Sequence, residues 1–162
     1  MADIISLKND IEAVYDMYAD MMYRLSLSYL QNTEDAQDAV QDVFVKYATA
    51  TDIFKDEEHK KAWLIRVTVN YCNDMLRRRK LRTHASLDEI SETVADGEER
   101  SSDIMNCLKL IPLKNRAAVI LHYLEGYSVE ETAKILKISA SAVKMRLKRG
   151  REALYELIRE VE

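Results

Sequence analysis

Residues 128–151 read SVEETAKILKISASAVKMRLKRGR, and the order of caps, apolar positions and charges there decides the fold of the C-terminal half. Ser128 and Glu131 make the S-x-x-E pattern of a capping box, in which two helix-terminal donors are satisfied reciprocally, so a helix is predicted to start there. Ala133, Ile135 and Leu136 give that helix an apolar side. Lys137 and Ile138 make a short break, after which Ser139 caps a second helix that turns Val143, Leu147 and Leu154 inward. Two helices, a tight turn and a small residue, Ala133, where they approach make the helix-turn-helix pattern. From Thr132 to Arg151 the chain carries Lys134, Lys137, Lys144, Arg146, Lys148, Arg149 and Arg151 and no carboxylate. Such a helix suits a major groove lined with acceptors and flanked by phosphates; an ordinary hairpin with a solvated charged face is the plainer alternative.

Upstream of this motif, Asp103–Leu110 is predicted as a short helix. Pro112 opens the next, which carries Ala117, Ile120, Leu121 and Leu124 and stops at Gly126. The segment THASLDEISETVADGEERSSD, residues 83–103, is polar, acidic and aperiodic, and reads as a linker with a short amphipathic turn at Ser86–Ile90. Before it three long helices are expected. The first, Lys8–Leu30, repeats Ile11, Val14, Tyr15, Tyr18, Met22, Leu25 and Tyr29 at helical spacing. The second opens at Asn32 or Thr33 with Glu34 and Asp35 in its first turn, and continues through Ala36, Val40, Val43, Phe44 and Tyr47. The third, Glu57–Arg82, has Trp63, Val67 and Tyr71 as one strip. The expected fold is all-α: a three-helix domain over 1–82, an acidic linker over 83–103, and a helix-turn-helix domain over 104–162.

Composition agrees with this layout. In 162 residues there are one Pro, three Gly and 48% hydrophobic side chains, a helical rather than a sheet-rich profile. Cys72 and Cys107 are far apart and the three His are scattered, so no metal site, disulfide or cofactor is expected. The N-terminal MADIISLKNDIEAVYDMY has acids where a signal peptide needs an apolar run, and no stretch is long enough to span a membrane. A soluble cytoplasmic protein with no direct membrane insertion is expected. The net charge of −4 hides a strong alternation: −8 over residues 1–60, +6 over 61–84, −6 over 85–104 and +4 over 105–162. Two basic zones point to two DNA contacts, and an acidic N-terminal surface to a basic protein partner.

Two further stretches narrow the class. TEDAQDAVQDVFVKYA followed by AWLIRVTVNYCNDMLRRRK resembles the second conserved region of bacterial sigma factors, and IPLKNRAAVILHYLEGYSVEETAKILKISASAVKMRLKRGREAL is similar to their fourth. With only these two regions and a short linker, residues 8–158 resemble the extracytoplasmic-function (ECF) group. The resemblance implies a non-enzymatic factor that binds core RNA polymerase through the β′ coiled-coil and the β flap, recognises promoter DNA and helps open it. An anti-sigma factor is a further partner the family often has, and a monomer is expected when the chain is free. Three positions depart from the family pattern. Lys137 stands where the turn usually has Gly, which calls for either backbone strain or a slightly different turn geometry; Ala142 replaces a commoner Thr. Gly150 lies inside the last helix, at a cost of about 1 kcal/mol against Ala, and calls for either fraying or close packing.

Candidate contacts follow residue by residue. Asp38, Gln41 and Asp42 lie at i, i+3 and i+4 on one face of the second helix, and the resemblance implies that this face meets the polymerase. On the third helix Lys60, Lys61, Arg66 and Asn70 precede Arg77, Arg78, Arg79, Lys80 and Arg82. The cluster is suited to phosphates, and Asn70 has its family counterpart in the minus-ten reading surface. The loop Thr51–Lys60 corresponds to the one that captures an unstacked base. Trp63 is read either as a stacking platform or, from its spacing to Val67 and Tyr71, as core. On the last helix Lys144, Met145, Lys148 and Arg149 are shifted from the inward stripe and project to the groove, with Arg151 beyond them. Ser139 and Ser141 are placed for phosphate at the helix N-terminus. His122 falls where the family can carry a DNA contact, though a lone His on an amphipathic helix is more often structural. A stand-alone helix-turn-helix regulator and a helical protein-binding adaptor remain as other readings; no nucleophile–base or paired-carboxylate arrangement recommends an enzyme.

Overall fold

Asn32 separates the first two helices. Helix α1 spans Ala2–Leu30 and is closed by Gln31, whose left-handed backbone (φ 55°) reverses the chain. Asn32 is extended, and its Oδ1 accepts the Asp35 N–H at 3.0 Å, starting α2 over Thr33–Thr49 with Glu34 and Asp35 in the first turn. Helix α3 covers Glu57–Ala85, with the Asp56 carboxylate accepting the His59 N–H at 2.8 Å. The structure, a computed structural model, describes residues 1–50, 54–85 and 105–161. All regular elements among the described residues are helices, and the chain divides into two units, Met1–Ile90 and Ser91–Glu162. Two boundaries differ from expectation: α1 begins at Ala2 rather than Lys8, and α3 runs on to Ala85. The rest of the predicted linker, the turn predicted at Ser86–Ile90 and residues 51–53 of the predicted base-capture loop lie outside the described residues.

In the first unit Val14, Tyr18, Met22, Leu25 and Tyr29 of α1 pack on Ala36, Ala39, Val40, Val43, Phe44 and Tyr47 of α2. The buried face of α3 is Leu64, Ile65, Thr68 and Cys72, one position on from the predicted strip. Trp63, Val67 and Tyr71 are half-buried flanks. The aromatic residues misplaced the strip, because Thr68 sits in the core by donating its hydroxyl to the Leu64 carbonyl at 2.7 Å. Tyr15, expected inward, is exposed, with its ring against Phe44 at 4.9 Å. Burial pushes the Cys72 thiol up to about 11, so it stays protonated and packs as a small apolar group.

The second unit begins in the described residues with α4, 105–109, followed by α5, Leu113–Val119, with Pro112 as its N-cap. Buried Arg116 ties this corner, donating from Nε to the Ile111 carbonyl (2.9 Å) and from a terminal nitrogen to that of Lys109 (2.8 Å). Beyond α5 the chain widens into a π turn over Ile120–Leu124 where a plain α-helix was expected. The Glu125 N–H reaches Ile120 O and the Tyr127 N–H reaches Leu121 O, both at 3.0 Å, and Gly126 takes φ 77° to complete the reversal.

Helices α6, Val129–Leu136, and α7, Ala140–Val161, form the helix-turn-helix. The capping box is present in both directions, with Ser128 N–H to Glu131 Oε2 at 2.9 Å and Glu131 N–H to Ser128 Oγ at 3.1 Å. Lys137 is left-handed (φ 55°), and the Ile138 N–H to Ala133 O (3.1 Å) and Lys137 N–H to Lys134 O (3.3 Å) bonds make a Schellman closure with Lys in the usual glycine position. A left-handed non-glycine residue costs about 1–2 kcal/mol, so of the two readings the strain is present. Ser139 Oγ accepts the Ala142 N–H at 3.0 Å and opens α7. Gly150 decides between its two readings in favour of close packing: a Cβ there would lie 2.5 Å from Val119 Cγ2.

Candidate nucleic-acid and polymerase interfaces

Helix α7 separates its faces cleanly. Val143 and Leu147 are buried beside Ile135 and Ala133, with Leu154 half-buried further on. Lys144, Met145, Lys148 and Arg149 are exposed, as are Ser141 and Arg151, so the structure brings the predicted outward residues onto one surface. Among the described residues Arg146 and Arg151 reach neutral acceptors, the Lys114 carbonyl at 3.2 Å and the Tyr123 hydroxyl at 2.9 Å. Neither contact brings a negative charge to the helix. Ser139 is exposed but its Oγ already caps the helix, which leaves its backbone and Ser141 as the donors at this end. His122 is held by the fold: its Nδ1 lies 2.7 Å from the Tyr127 carbonyl across the π turn, and its half-buried ring meets Tyr123 edge-on. The contact needs the proton on Nδ1 and fixes the ring, which gives His122, a candidate DNA contact from the sequence, a structural task in this fold.

The basic residues of α3 are in a different state. Arg66 is half-buried, and Asn70, Arg78 and Lys80 are exposed, with no ion pair to them among the described residues. Arg77 pairs with Asp74 one turn away. Arg79, counted in the phosphate cluster, turns inward to Asp35 and donates to the Leu30 carbonyl at 3.0 Å, fastening α3 across the α1–α2 junction. Lys60 also departs from its predicted role. Its side chain is only 14% exposed and its Nζ lies 3.1 Å from Glu57 Oε1 and 3.6 Å from Asp10 Oδ1. Lys61 is half-buried and also engaged within the fold. Trp63 belongs to an aromatic cluster, with Phe54 at 5.7 Å and Tyr47 at 6.3 Å, so packing is its role.

On α2, Asp38 and Gln41 are exposed and Asp42 is half-buried, bridged to Lys46 at 3.0 Å. Lys46 also lies over the Tyr71 ring, 5.5 Å from its centre. Beside this face is an open depression of about 310 Å³ between α1 and α2, lined by Tyr15, Ala19, Asp20, Tyr23, Gln37, Val40 and Gln41. Nothing in the sequence reading anticipated it. Its signal is Tyr15–Ala19–Tyr23, a four-residue repeat with a small middle member, all three of which line it. No cluster of three or more His, Cys, Asp or Glu able to hold a metal occurs among the described residues. No helix among them is long and apolar enough to cross a membrane.

Two helical units, one with a net basic helix-turn-helix and one with an acidic α2 face and a basic α3, describe a DNA-binding transcription factor with a protein partner. Residues 14–82 match the family model of sigma-70 region 2, and residues 101–154 that of sigma-70, region 4. The ECF RNA polymerase sigma factor SigW of Bacillus subtilis is 30% identical over 165 residues, covering 91% of this chain and 88% of that protein. SigM of Mycobacterium tuberculosis is 33% identical over 140 residues, covering 85% and 71%. Among solved structures, the sigma factor RpoE in complex with the anti-sigma factor NepR from Bartonella quintana superposes with a TM-score of 0.79 at 26% identity, covering 93% of this chain and 97% of that one. The chain belongs to the ECF RNA polymerase sigma factors. These are not enzymes: they direct RNA polymerase to promoters and initiate transcription there.

Proposed function

We propose that the two units divide the work of initiation as follows. Unit one docks core RNA polymerase through Asp38, Gln41 and Asp42 on α2, against the basic β′ coiled-coil. The neighbouring depression accepts a long side chain of that partner. Helix α3 faces the minus-ten element with Asn70 reading a base edge and Arg66, Arg78 and Lys80 holding phosphates. Unit two contacts the β flap and reads the minus-thirty-five element with Lys144, Met145, Lys148 and Arg149, with Ser141 and Arg151 on the backbone. Residues 83–103 connect the two. The work takes place in the cytoplasm, where a free chain is monomeric, and an anti-sigma factor of the kind bound to the Bartonella relative holds it inactive.

The observation that carries this assignment is α7, in which a buried Val143–Leu147 side is opposed by exposed Lys144, Lys148 and Arg149 with no carboxylate from Thr132 to Arg151. Carboxylates with an amide on α2 suit arginine partners, and the opposite sign on α7 suits phosphate and guanine. The test is reconstitution. Core polymerase given this chain and a promoter library should produce initiated transcripts from a defined subset, and core alone should not. Asp38→Lys should weaken core association at least tenfold with helical content unchanged, and it is a cleaner probe than Asp42, which is already bridged to Lys46. Unchanged affinity at matched salt removes α2 from the interface.

A further inference from the structure

Lys60 comes from a segment assigned to DNA, yet it faces the interior of unit one. Three helices converge on it. Asp10 of α1 accepts the Tyr47 hydroxyl of α2 through Oδ2 at 2.6 Å, while its Oδ1 lies 3.6 Å from the Lys60 ammonium of α3. Lys60 donates to Glu57 Oε1 at 3.1 Å, and the other oxygen of that carboxylate accepts the Tyr18 hydroxyl of α1 at 3.2 Å. Tyr47 has a second task. Its ring stacks on Phe54 at 5.9 Å, and Phe54 in turn meets His59 and Trp63 at 5.6 and 5.7 Å. One side chain thus joins a polar network to the aromatic cluster that holds the residues entering α3.

The electrostatics are consistent with a fixed arrangement. Burial, followed by the hydrogen bond to Asp10, pushes Tyr47 up to about 12, so its hydroxyl remains a donor. Burial works against the Lys60 ammonium, but Glu57, Tyr47 and Asp10 outweigh it and raise its pKa, so it remains charged. A cation between two carboxylates, with a phenol on each, satisfies charge and hydrogen-bonding geometry together, and removing one member leaves the others mismatched.

We propose that Asp10, Tyr47 and Lys60 are positioning residues for promoter opening: they fix the corner between α2 and α3, and through it the face of α3 that engages the minus-ten element, without touching DNA. This rests on the assignment of α3 to that element. A helix entered through a loosened corner meets its target in many orientations, and the strand-opening step needs one.

The charge of Asp10 separates this proposal from simple DNA contact. If Lys60 gripped a phosphate, Lys60→Met would flatten the salt dependence of binding by about one contact, and Asp10→Asn, which removes a negative charge, would strengthen binding. Positioning requires the opposite pattern. In reconstituted holoenzyme, Asp10→Asn, Tyr47→Phe and Lys60→Met should each lower open-complex formation on duplex promoter several-fold. The loss should be much smaller on a premelted bubble, with the salt slope unchanged. The double variant Asp10→Asn/Lys60→Met should be no worse than the more damaged single one, and Lys60→Arg should recover part of the activity. Core affinity, which a misfolded unit would lose, should stay at the parent value; Tyr47→Phe keeps the ring and guards further against unfolding. Normal opening by Asp10→Asn and Tyr47→Phe overturns the proposal, as does a loss equal on duplex and bubble. Asn70→Ala in the same assay tells the two ideas apart: if it is impaired while Asp10→Asn is not, only the positioning role fails, and if it too is inert the α3 assignment fails.

Discussion

Helices α3 and α7 both carry dense basic sequence, and they use it in opposite ways. Helix α3, besides burying Leu64, Ile65, Thr68 and Cys72, spends much of its charge inside its own unit. Lys60 meets Asp10 and Glu57, Arg79 crosses to Asp35 and the Leu30 carbonyl, and Arg77 pairs with Asp74. Helix α7 is anchored by apolar contact and shape, with Val143 and Leu147 buried and Gly150 pressed against Val119, and among the described residues Arg146 and Arg151 bond to neutral oxygens. The cause lies in the surroundings. The first 60 residues carry a net charge of −8, so a basic helix packed among them finds carboxylates within reach. No carboxylate occurs from Thr132 to Arg151. A count of lysines and arginines therefore measures the charge available to DNA on α7 and overstates it on α3.

The largest effect that tests this contrast is on the anchor of α7. Gly150→Val forces a branched side chain into a place where even a Cβ would lie 2.5 Å from Val119 Cγ2, a short and stiff neighbour. Overpacking of this kind costs about 1–3 kcal/mol. Unit two should unfold at lower denaturant while the transition of unit one stays in place. A variant as stable as its parent would mean that α7 is held by other contacts and that shape is not its anchor.

Next comes the free charge of the same helix. Lys144→Ala and Arg149→Ala should each relax base preference at a distinct upstream position, most strongly at guanine. Each good side-chain–base pair is worth about 1–3 kcal/mol of discrimination. Lys134→Ala, on α6, should leave preference unaltered. Selection of bound sequences with each variant reads this directly. Identical preference profiles for parent, Lys144→Ala and Arg149→Ala would reject α7 as the reading helix and with it the contrast in available charge.

The architecture of both units was legible because local rules and global packing agree there. Asn32, the Ser128–Glu131 box and Ser139 each start a helix where capping chemistry places them, and the α2 core residues were read correctly from their period. The failures share one physical cause, namely that periodicity says which residues lie on a face but not what that face meets. On α3 the aromatic strip drew attention from Leu64, Thr68 and Cys72, since a threonine bonded to its own helix is invisible as core. The inward turns of Lys60 and Arg79 depend on Asp10 and Asp35, carboxylates 50 and 44 positions away in sequence. The π turn left no mark either, and His122 took its structural place only because that turn brings the Tyr127 carbonyl to it.

The smallest effect offers the sharpest test of paired against unpaired charge. Arg77 and Arg78 are neighbours in sequence and both are exposed, but Arg77 is paired with Asp74 and Arg78 has no ion pair among the described residues. Each phosphate neutralised contributes about 0.9 to the slope of log affinity against log salt on duplex DNA. Arg78→Ala should therefore flatten that slope by close to one contact, evenly across sequences. Arg77→Ala should change it by less than half as much, because Arg77 reaches a phosphate only by leaving a carboxylate exposed beside the DNA backbone. The pair itself is a surface one, worth about 0–1 kcal/mol, so stability should hardly move in either case. The decisive variant is Asp74→Asn. With its partner neutralised, Arg77 becomes available, and the slope should steepen toward one additional contact although no basic residue has been added. If Asp74→Asn leaves the slope where it was while Arg77→Ala flattens it as fully as Arg78→Ala, the pair already opens on DNA. The intramolecular bridges of α3 would then not limit its charge, and the distinction between the two helices would rest on Lys60 and Arg79 alone.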